Sequence, residues 1–174
     1  MRSQFLFLLF LLLNVSAGVC GEDTSDLPSQ TVAHQVCSEE KTLKVQFLCN
    51  PDWQLQTEKN AMHLIISDDP AVTLTIAKAD SPVIFIEQLT DKALKAMGQY
   101  QDGFFKARVK VASQDAVKVE GLSEQFPEIR LVDFYVIHDL SLYSILFSVN
   151  PKGEWFRYAA VLEKIIQSFQ FMDE

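Results

Sequence analysis

Beyond residue 30, the hydrophobic positions of the chain recur mostly with a period of two, the pattern of half-buried β-strands. Such alternation covers five runs, at 32–36, 43–47, 62–66, 72–76 and 107–111. Two longer stretches, 129–138 and 141–150, are rich in aromatic and β-branched residues, and we expect them to be central strands covered on both faces. The residues between these stretches, 138–140, are few enough for a hairpin loop.

The hydrophobic period becomes helical in two segments. In the first, apolar residues from Phe85 to Tyr100 recur at helical spacing, and Gly103 ends the segment. In the second, from about Trp155 to Phe169, they form one stripe with polar residues opposite. The sequence therefore predicts an α+β fold, in which an antiparallel sheet of six to eight strands carries one inserted helix and one C-terminal helix.

The N-terminal segment has the pattern of a secretory signal peptide. Arg2 is followed by an unbroken apolar run at 5–13, and Ala17 ends a suitable cleavage site. The run is shorter than the ~20 residues that a transmembrane helix needs. We therefore predict an exported, periplasmic or otherwise extracytoplasmic protein with three segments: a signal peptide at 1–19, a polar linker at 20–31 and a single folded domain at 32–174.

Cys20 offers a second interpretation of the N-terminus. A cysteine directly after an apolar leader can be the lipidated first residue of a bacterial lipoprotein, and lipid would then anchor the protein to a membrane. The residues before Cys20 match that signal only in part, so a lipidated and an unmodified N-terminus both stay open. Lipidation would leave Cys37 and Cys49 as an even pair, and disulfides persist in the compartment that export predicts.

A bridge between Cys37 and Cys49 would stabilise the fold by ~3 kcal/mol. The expected geometry opposes it, because a tight turn at 39–42 would place Cys37 opposite about Lys44 and leave Cys49 ~16 Å further along the strand. A disulfide needs its Cα atoms within ~7 Å. The bridge therefore requires a looser connection than a simple hairpin, and the sequence leaves it open.

Composition and charge narrow the class of partner. The 174 residues are 48% hydrophobic and 22% charged, which suits a globular domain with its own core. The formal net charge of −8 disfavours nucleic acid as a partner. We expect a protein partner or a membrane surface, and no cofactor.

The sequence lacks the motifs of common catalytic sites. It contains no Gly-x-Ser-x-Gly and no glycine-rich phosphate loop. One weak metal constellation comprises Asp133, His138 and Asp139, which would need a further ligand. At a hairpin loop, the same residue types are ordinary turn chemistry. We therefore predict a protein without catalytic residues, and a metal-dependent enzyme using these three side chains is the alternative.

Three basic residues, Lys106, Arg108 and Lys110, alternate along one predicted strand and would share a face. On an acidic protein, they could form a docking patch for an acidic partner or for lipid headgroups. The alternative is a solvated sheet face whose charge is offset by neighbouring acids.

Three segments resemble the PsbP/Mog fold family, an α/β/α sandwich named after a photosystem II extrinsic subunit and a Ran-binding protein. They are similar to the family's strand followed by a Pro-x-Trp turn, its strand entry at a Gly-Leu pair and its C-terminal helix, at 43–53, 119–122 and 162–169. The resemblance covers roughly residues 32–172. It implies that Trp53 and Phe169 are core anchors and that Gly121 forms a backbone turn.

The resemblance also implies a class of function, although the family has no shared chemistry. Its exported bacterial members are often small lipoproteins or periplasmic proteins of unknown role, and its photosystem members are non-enzymatic accessory subunits. We therefore expect a non-catalytic accessory or binding module at a membrane surface or in the periplasm. Besides the metal-dependent enzyme, a carrier of a small apolar ligand stays open, and an enclosed apolar cavity above ~300 Å³ would favour it.

Overall fold

The computed structural model describes residues 34–39, 41–80, 85–96 and 99–172. The predicted signal peptide, the predicted linker and Cys20 lie outside the described residues, as does the start of the first predicted strand. Val32–Glu174 forms one compact unit.

Ten strands and two helices make up the described part of this unit. The strands are β1 (Gln35–Glu39), β2 (Val45–Cys49), β3 (Gln54–Glu58), β4 (Ala61–Ser67), β5 (Ala71–Asp80), β6 (Phe105–Val111), β7 (Gln114–Leu122), β8 (Arg130–His138), β9 (Ser141–Asn150) and β10 (Gln170–Phe171). The helices are α1 (Asp91–Ala96) and α2 (Trp155–Ser168), and single 3-10 turns cover Ile86–Gln88 and Lys152–Glu154.

Seven strands form one antiparallel sheet in the order β3-β4-β5-β9-β8-β7-β6, and three form a second sheet in the order β1-β2-β10. β8 and β9 occupy inner positions of the large sheet and meet in a tight hairpin, where His138 pairs with Ser141. The predicted α+β class is confirmed. The strands are divided between two sheets, and the smaller sheet of β1, β2 and β10 covers one face of the large sheet together with α2.

Alternation along each strand sends side chains to two opposite faces of the large sheet. The face that we call the α2 face packs against α2 and the small sheet, with Ile145 and Phe147 of β9 buried there. Phe47 of β2 stacks on Phe169 at a ring-centroid distance of 6.2 Å, and Phe169 is a core anchor as predicted. The opposite face, which we call the α1 face, buries Leu94 of α1.

The predicted mid-chain helix is divided. Instead of one helix through Phe85 and Tyr100, the chain makes a 3-10 turn at Ile86–Gln88 and then the short α1. Thr90 begins α1, since its Oγ1 accepts a hydrogen bond from the backbone N–H of Ala93 at 3.2 Å. Tyr100 forms a β-bridge instead of ending the helix. The helical spacing arose because two separate elements direct their apolar residues to the same sheet face.

Gly121 lies within β7, so the implied backbone turn at this position is wrong. A Cβ atom there would lie 3.1 Å from the Cβ of Phe104 and 3.3 Å from Cδ1 of Tyr100. The glycine therefore allows the chain around Tyr100 and Phe104 to pack directly onto the strand.

Candidate functional site

A groove of about 530 Å³ runs between α2 and the ends of β2 and β4. Its apolar lining consists of Leu48, Trp53, Ile66, Tyr158, Val161 and Ile165. Its polar lining consists of His34, Asn50, Lys164, Gln167 and Ser168. The volume lies within the ~300–1,000 Å³ that is usual for small-molecule sites. Apolar walls with a few polar groups are also typical of such sites.

A turn directly after β2 brings Trp53 into one wall of the groove. The backbone N–H of Trp53 donates to the carbonyl oxygen of Asn50 at 3.1 Å, and the N–H of Asp52 donates to Asn50 Oδ1 at 3.0 Å. Asn at the first position and Pro51 at the second are the residues that such a turn favours. Trp53 is therefore only half-buried: it packs on the core, as the resemblance implied, and it also faces the groove.

The opposite wall is one side of α2. Tyr158, Val161 and Ile165 recur at three- and four-residue spacing, so their side chains share that side of the helix. Ser168 fastens the end of the helix to β2, because its Oγ accepts a hydrogen bond from the backbone N–H of Leu48 at 2.9 Å and donates to the carbonyl of Ile165 at 3.0 Å.

Two side chains lining the groove can carry a positive charge, Lys164 and His34, and both are exposed. No Asp or Glu belongs to the lining that the described residues provide. The whole chain carries 23 acidic against 15 basic residues. The side chains that line the groove therefore carry the opposite sign of charge from the net charge of the chain.

A disulfide joins Cys37 and Cys49 next to the groove, with a Cα–Cα distance of 5.8 Å. The tight turn assumed from the sequence is wrong, because Glu39 pairs with Val45 and Cys37 faces Phe47, diagonally across from Cys49. The longer loop depends on the Glu39 carboxylate, which accepts hydrogen bonds from backbone N–H groups, that of Thr42 at 2.9 Å among them. Although burial opposes the shift, these bonds hold the pKa of Glu39 below its ordinary value.

The structure does not bring the predicted metal ligands together. Asp133 lies on the α1 face, where Ser144 contacts it, whereas His138 stacks on Phe171 at 4.0 Å on the α2 face. Asp139 occupies the exposed hairpin turn, 3.4 Å from His138 Nε2. Among the described residues, no group of three or more His, Cys, Asp or Glu side chains could hold a metal ion. The proposed cluster is wrong because an odd spacing along a strand sends side chains to opposite faces.

Asp133 instead belongs to an internal polar network. Its carboxyl is fully buried, and Ser144 Oγ donates to it at 2.9 Å. The buried side chains of Tyr100 and Tyr135 lie beside it. Burial raises the pKa of Asp133 to about 6, although hydrogen bonds from Ser144 and from the backbone oppose the rise.

The three alternating cations of β6 do lie on one face, the α1 face, but each has a carboxylate partner. Lys106 pairs with Asp91 of α1, and Arg108 pairs with Glu87 at 3.1 Å. Lys110 pairs with Asp115 of β7, also at 3.1 Å. Their charge is offset within the chain, which favours the solvated-face interpretation over a docking patch. The first two pairs hold the segment before β6 against the sheet.

Sequence reasoning missed the groove as a site. One signal was present in α2, whose apolar residues cover more of the helix surface than the buried Leu162 and Ile165 require. Among the described residues, neither helix has the length and hydrophobicity of a membrane span.

No protein-family model matches the chain, and a comparison with curated proteins finds no match. Solved structures do match. The chain is similar to the cyanobacterial PsbP (CyanoP) of Synechocystis, with 14% identity and a TM-score of 0.59 over 88% of this chain and 98% of that one. It is also similar to LpqN of Mycobacterium tuberculosis, a protein involved in cell envelope biogenesis, with 8% identity and a TM-score of 0.50 over 83% and 93%.

A third similar structure is a Pseudomonas aeruginosa protein of unknown function, with 9% identity and a TM-score of 0.52 over 77% of this chain and 94% of that one. At such low identity, these likenesses show the fold alone. At that level, they confirm the resemblance that the three sequence segments predicted.

Proposed function

We propose, from the premise that this chain has the PsbP/Mog-like fold, that it is a non-catalytic accessory or binding module that acts outside the cytoplasm. The observation that carries the proposal is the preformed groove between α2 and β2, with its apolar walls and two basic side chains. The likeness to PsbP and to LpqN, the latter involved in cell envelope biogenesis, supports an accessory role at a membrane or envelope.

Export is supported by the sequence pattern of 1–19 and by the disulfide between Cys37 and Cys49, since disulfides persist in oxidising compartments. The anchoring of the protein through lipid at Cys20 stays a prediction. Intact-mass measurement after expression in a bacterium tests both: a diacyl or triacyl increment on a chain beginning at Cys20 supports the anchor. An unmodified chain beginning at Gly18 supports export and rules out the anchor.

The binding role is tested by sedimentation of the purified protein with membranes from the source organism. Val161→Glu places a charge in the groove, and the matched control Ala160→Glu places it on the exposed neighbouring position of α2. We expect the wild type and the control to sediment and Val161→Glu to stay in the supernatant. Equal sedimentation of all three proteins contradicts the role of the groove. Substrate turnover abolished by a single polar-to-Ala change contradicts the non-catalytic assignment.

A second candidate function is a carrier of a small apolar ligand, and the volume and lining of the groove favour it. The site is an open groove and not the enclosed cavity that would have favoured a carrier most directly. Native mass spectrometry of the purified protein tests the candidate: a bound small molecule in the wild type and none in Val161→Trp, which narrows the groove, supports a carrier. A wild-type mass equal to that of the polypeptide alone argues against it.

A further inference from the structure

We infer that the groove binds an amphiphile with a single alkyl chain and an anionic head group. The alkyl chain of the ligand would lie between Trp53 and the Val161 side of α2, and its anionic head group would lie at Lys164 and His34. The inference rests on the carrier function proposed above, because it names the chemical class of the carried ligand.

The walls of the groove suit an alkyl chain. Trp53 and Ile66 come from one side of the groove and Tyr158 and Val161 from the other, so both sides of a thin apolar ligand would meet apolar side chains. Burial of each methylene group contributes ~0.8 kcal/mol, which corresponds to roughly fourfold in affinity. Affinity should therefore rise steeply with chain length for as long as the groove has room.

The charges of the groove select the head group. Lys164 and His34 line it and are exposed, so a head group can reach them from solvent. Glu163, the neighbour of Lys164, is exposed but does not line the groove. An anionic head would therefore meet an ammonium group, whereas a cationic head would meet no carboxylate from the lining residues. This complementarity favours an anion on a protein whose net charge of −8 otherwise repels anions.

The fluorescence of Trp53 reports binding in the groove. The chain has two tryptophans, and the second, Trp155, packs edge-on against Phe147 and beneath Arg130, outside the groove lining. Trp155→Phe therefore leaves one tryptophan, in the groove, whose emission is excited separately from that of the tyrosines. The variant is titrated with decanoate, decyltrimethylammonium and decyl maltoside below their micelle concentrations. Calorimetry of the wild type with the same three compounds repeats the measurement in case the substitution disturbs the fold.

We expect decanoate to shift the Trp53 emission to shorter wavelength and to bind roughly tenfold more tightly than the ammonium compound. Dodecanoate, with two more methylenes, should bind roughly fifteenfold more tightly than decanoate. Lys164→Glu should weaken decanoate binding roughly fivefold and strengthen binding of the ammonium compound. The matched control Lys92→Glu, in α1 on the other side of the large sheet, should change neither.

Equal affinity for the three head groups overturns the anionic assignment and leaves the carrier function intact. An emission spectrum and a heat signal unchanged by all three compounds overturn the inference as a whole, and the groove is then left to a second copy of the chain, to the chain preceding His34 or to another protein. The native mass spectrum of the purified protein, which needs no added compound, then decides separately whether the carrier function fails as well.

Discussion

Replacement of Asp133 by Asn should change how the stability of the protein depends on pH. The Asp133 carboxyl is fully buried, and its pKa is raised from 3.8 to about 6, chiefly by desolvation. The folded state therefore binds the proton more tightly than the unfolded state does. This group contributes most to stability below pH 3.8, and the contribution is lost as the pH rises to about 6. A shift of roughly two pKa units corresponds to about 3 kcal/mol.

The assay is urea unfolding of the wild type and Asp133→Asn between pH 4 and pH 7. Asparagine stays neutral, so the free energy of unfolding of the variant minus that of the wild type should grow by about 2.4 kcal/mol over this range, the rest of the change falling below pH 4. Loss of the hydrogen bond with Ser144 would shift the difference in free energy of unfolding equally at every pH. Only the slope of that difference against pH is therefore diagnostic. Carboxyls with lowered pKa values, such as Glu39 and Glu120, cancel in the difference.

Asp68→Asn, at an exposed position, is the matched control and should leave the difference flat. A difference for Asp133→Asn that is also independent of pH would refute the reasoning, because the buried carboxyl would then titrate alike in the folded and unfolded states.

Three further predictions concern stability and are measured by urea unfolding. Replacement of both Cys37 and Cys49 by Ser should lower the free energy of unfolding by ~3 kcal/mol, and reductant should destabilise the wild type but not the variant. Leu140→Gly should raise the free energy of unfolding by ~1 kcal/mol, because Leu140 is exposed and has a φ of 58°. An unchanged free energy of unfolding would argue against strain in this turn. Gly121→Ala should lower the free energy of unfolding by ~1–3 kcal/mol, because the new methyl group meets Phe104. An unchanged midpoint of urea unfolding would contradict this close packing.

The elements best predicted from sequence are those whose pattern is local. The hairpin of β8 and β9 lies where the two long apolar stretches predicted it, because residues with high strand propensity flank a two-residue turn at Asp139 and Leu140. The end of α2 at Ser168 is within one residue of the prediction. By contrast, β3 was missed because it is exposed at every position and polar at all but Leu55, and it is a strand through its pairing with β4.

The metal hypothesis could have been rejected from the sequence. Asp133 and His138 are five positions apart within one predicted strand, and an odd spacing places two side chains on opposite faces. The disulfide is a different case. Whether Cys37 reaches Cys49 depends on the length of the loop after Glu39, which backbone hydrogen bonds to the Glu39 carboxylate stabilise.

The sequence by itself determined the α+β class, the long central strands, the C-terminal helix and the likeness to the PsbP/Mog fold, because these depend on periodicity and on short motifs. Only the tertiary structure decided where a ligand could bind. One wall of the groove follows β2 and the other belongs to α2, so Trp53 and Val161 line the same groove although more than a hundred residues separate them. Periodicity assigns a side chain to a face of its own element, whereas a groove exists only when the faces of distant elements are packed together.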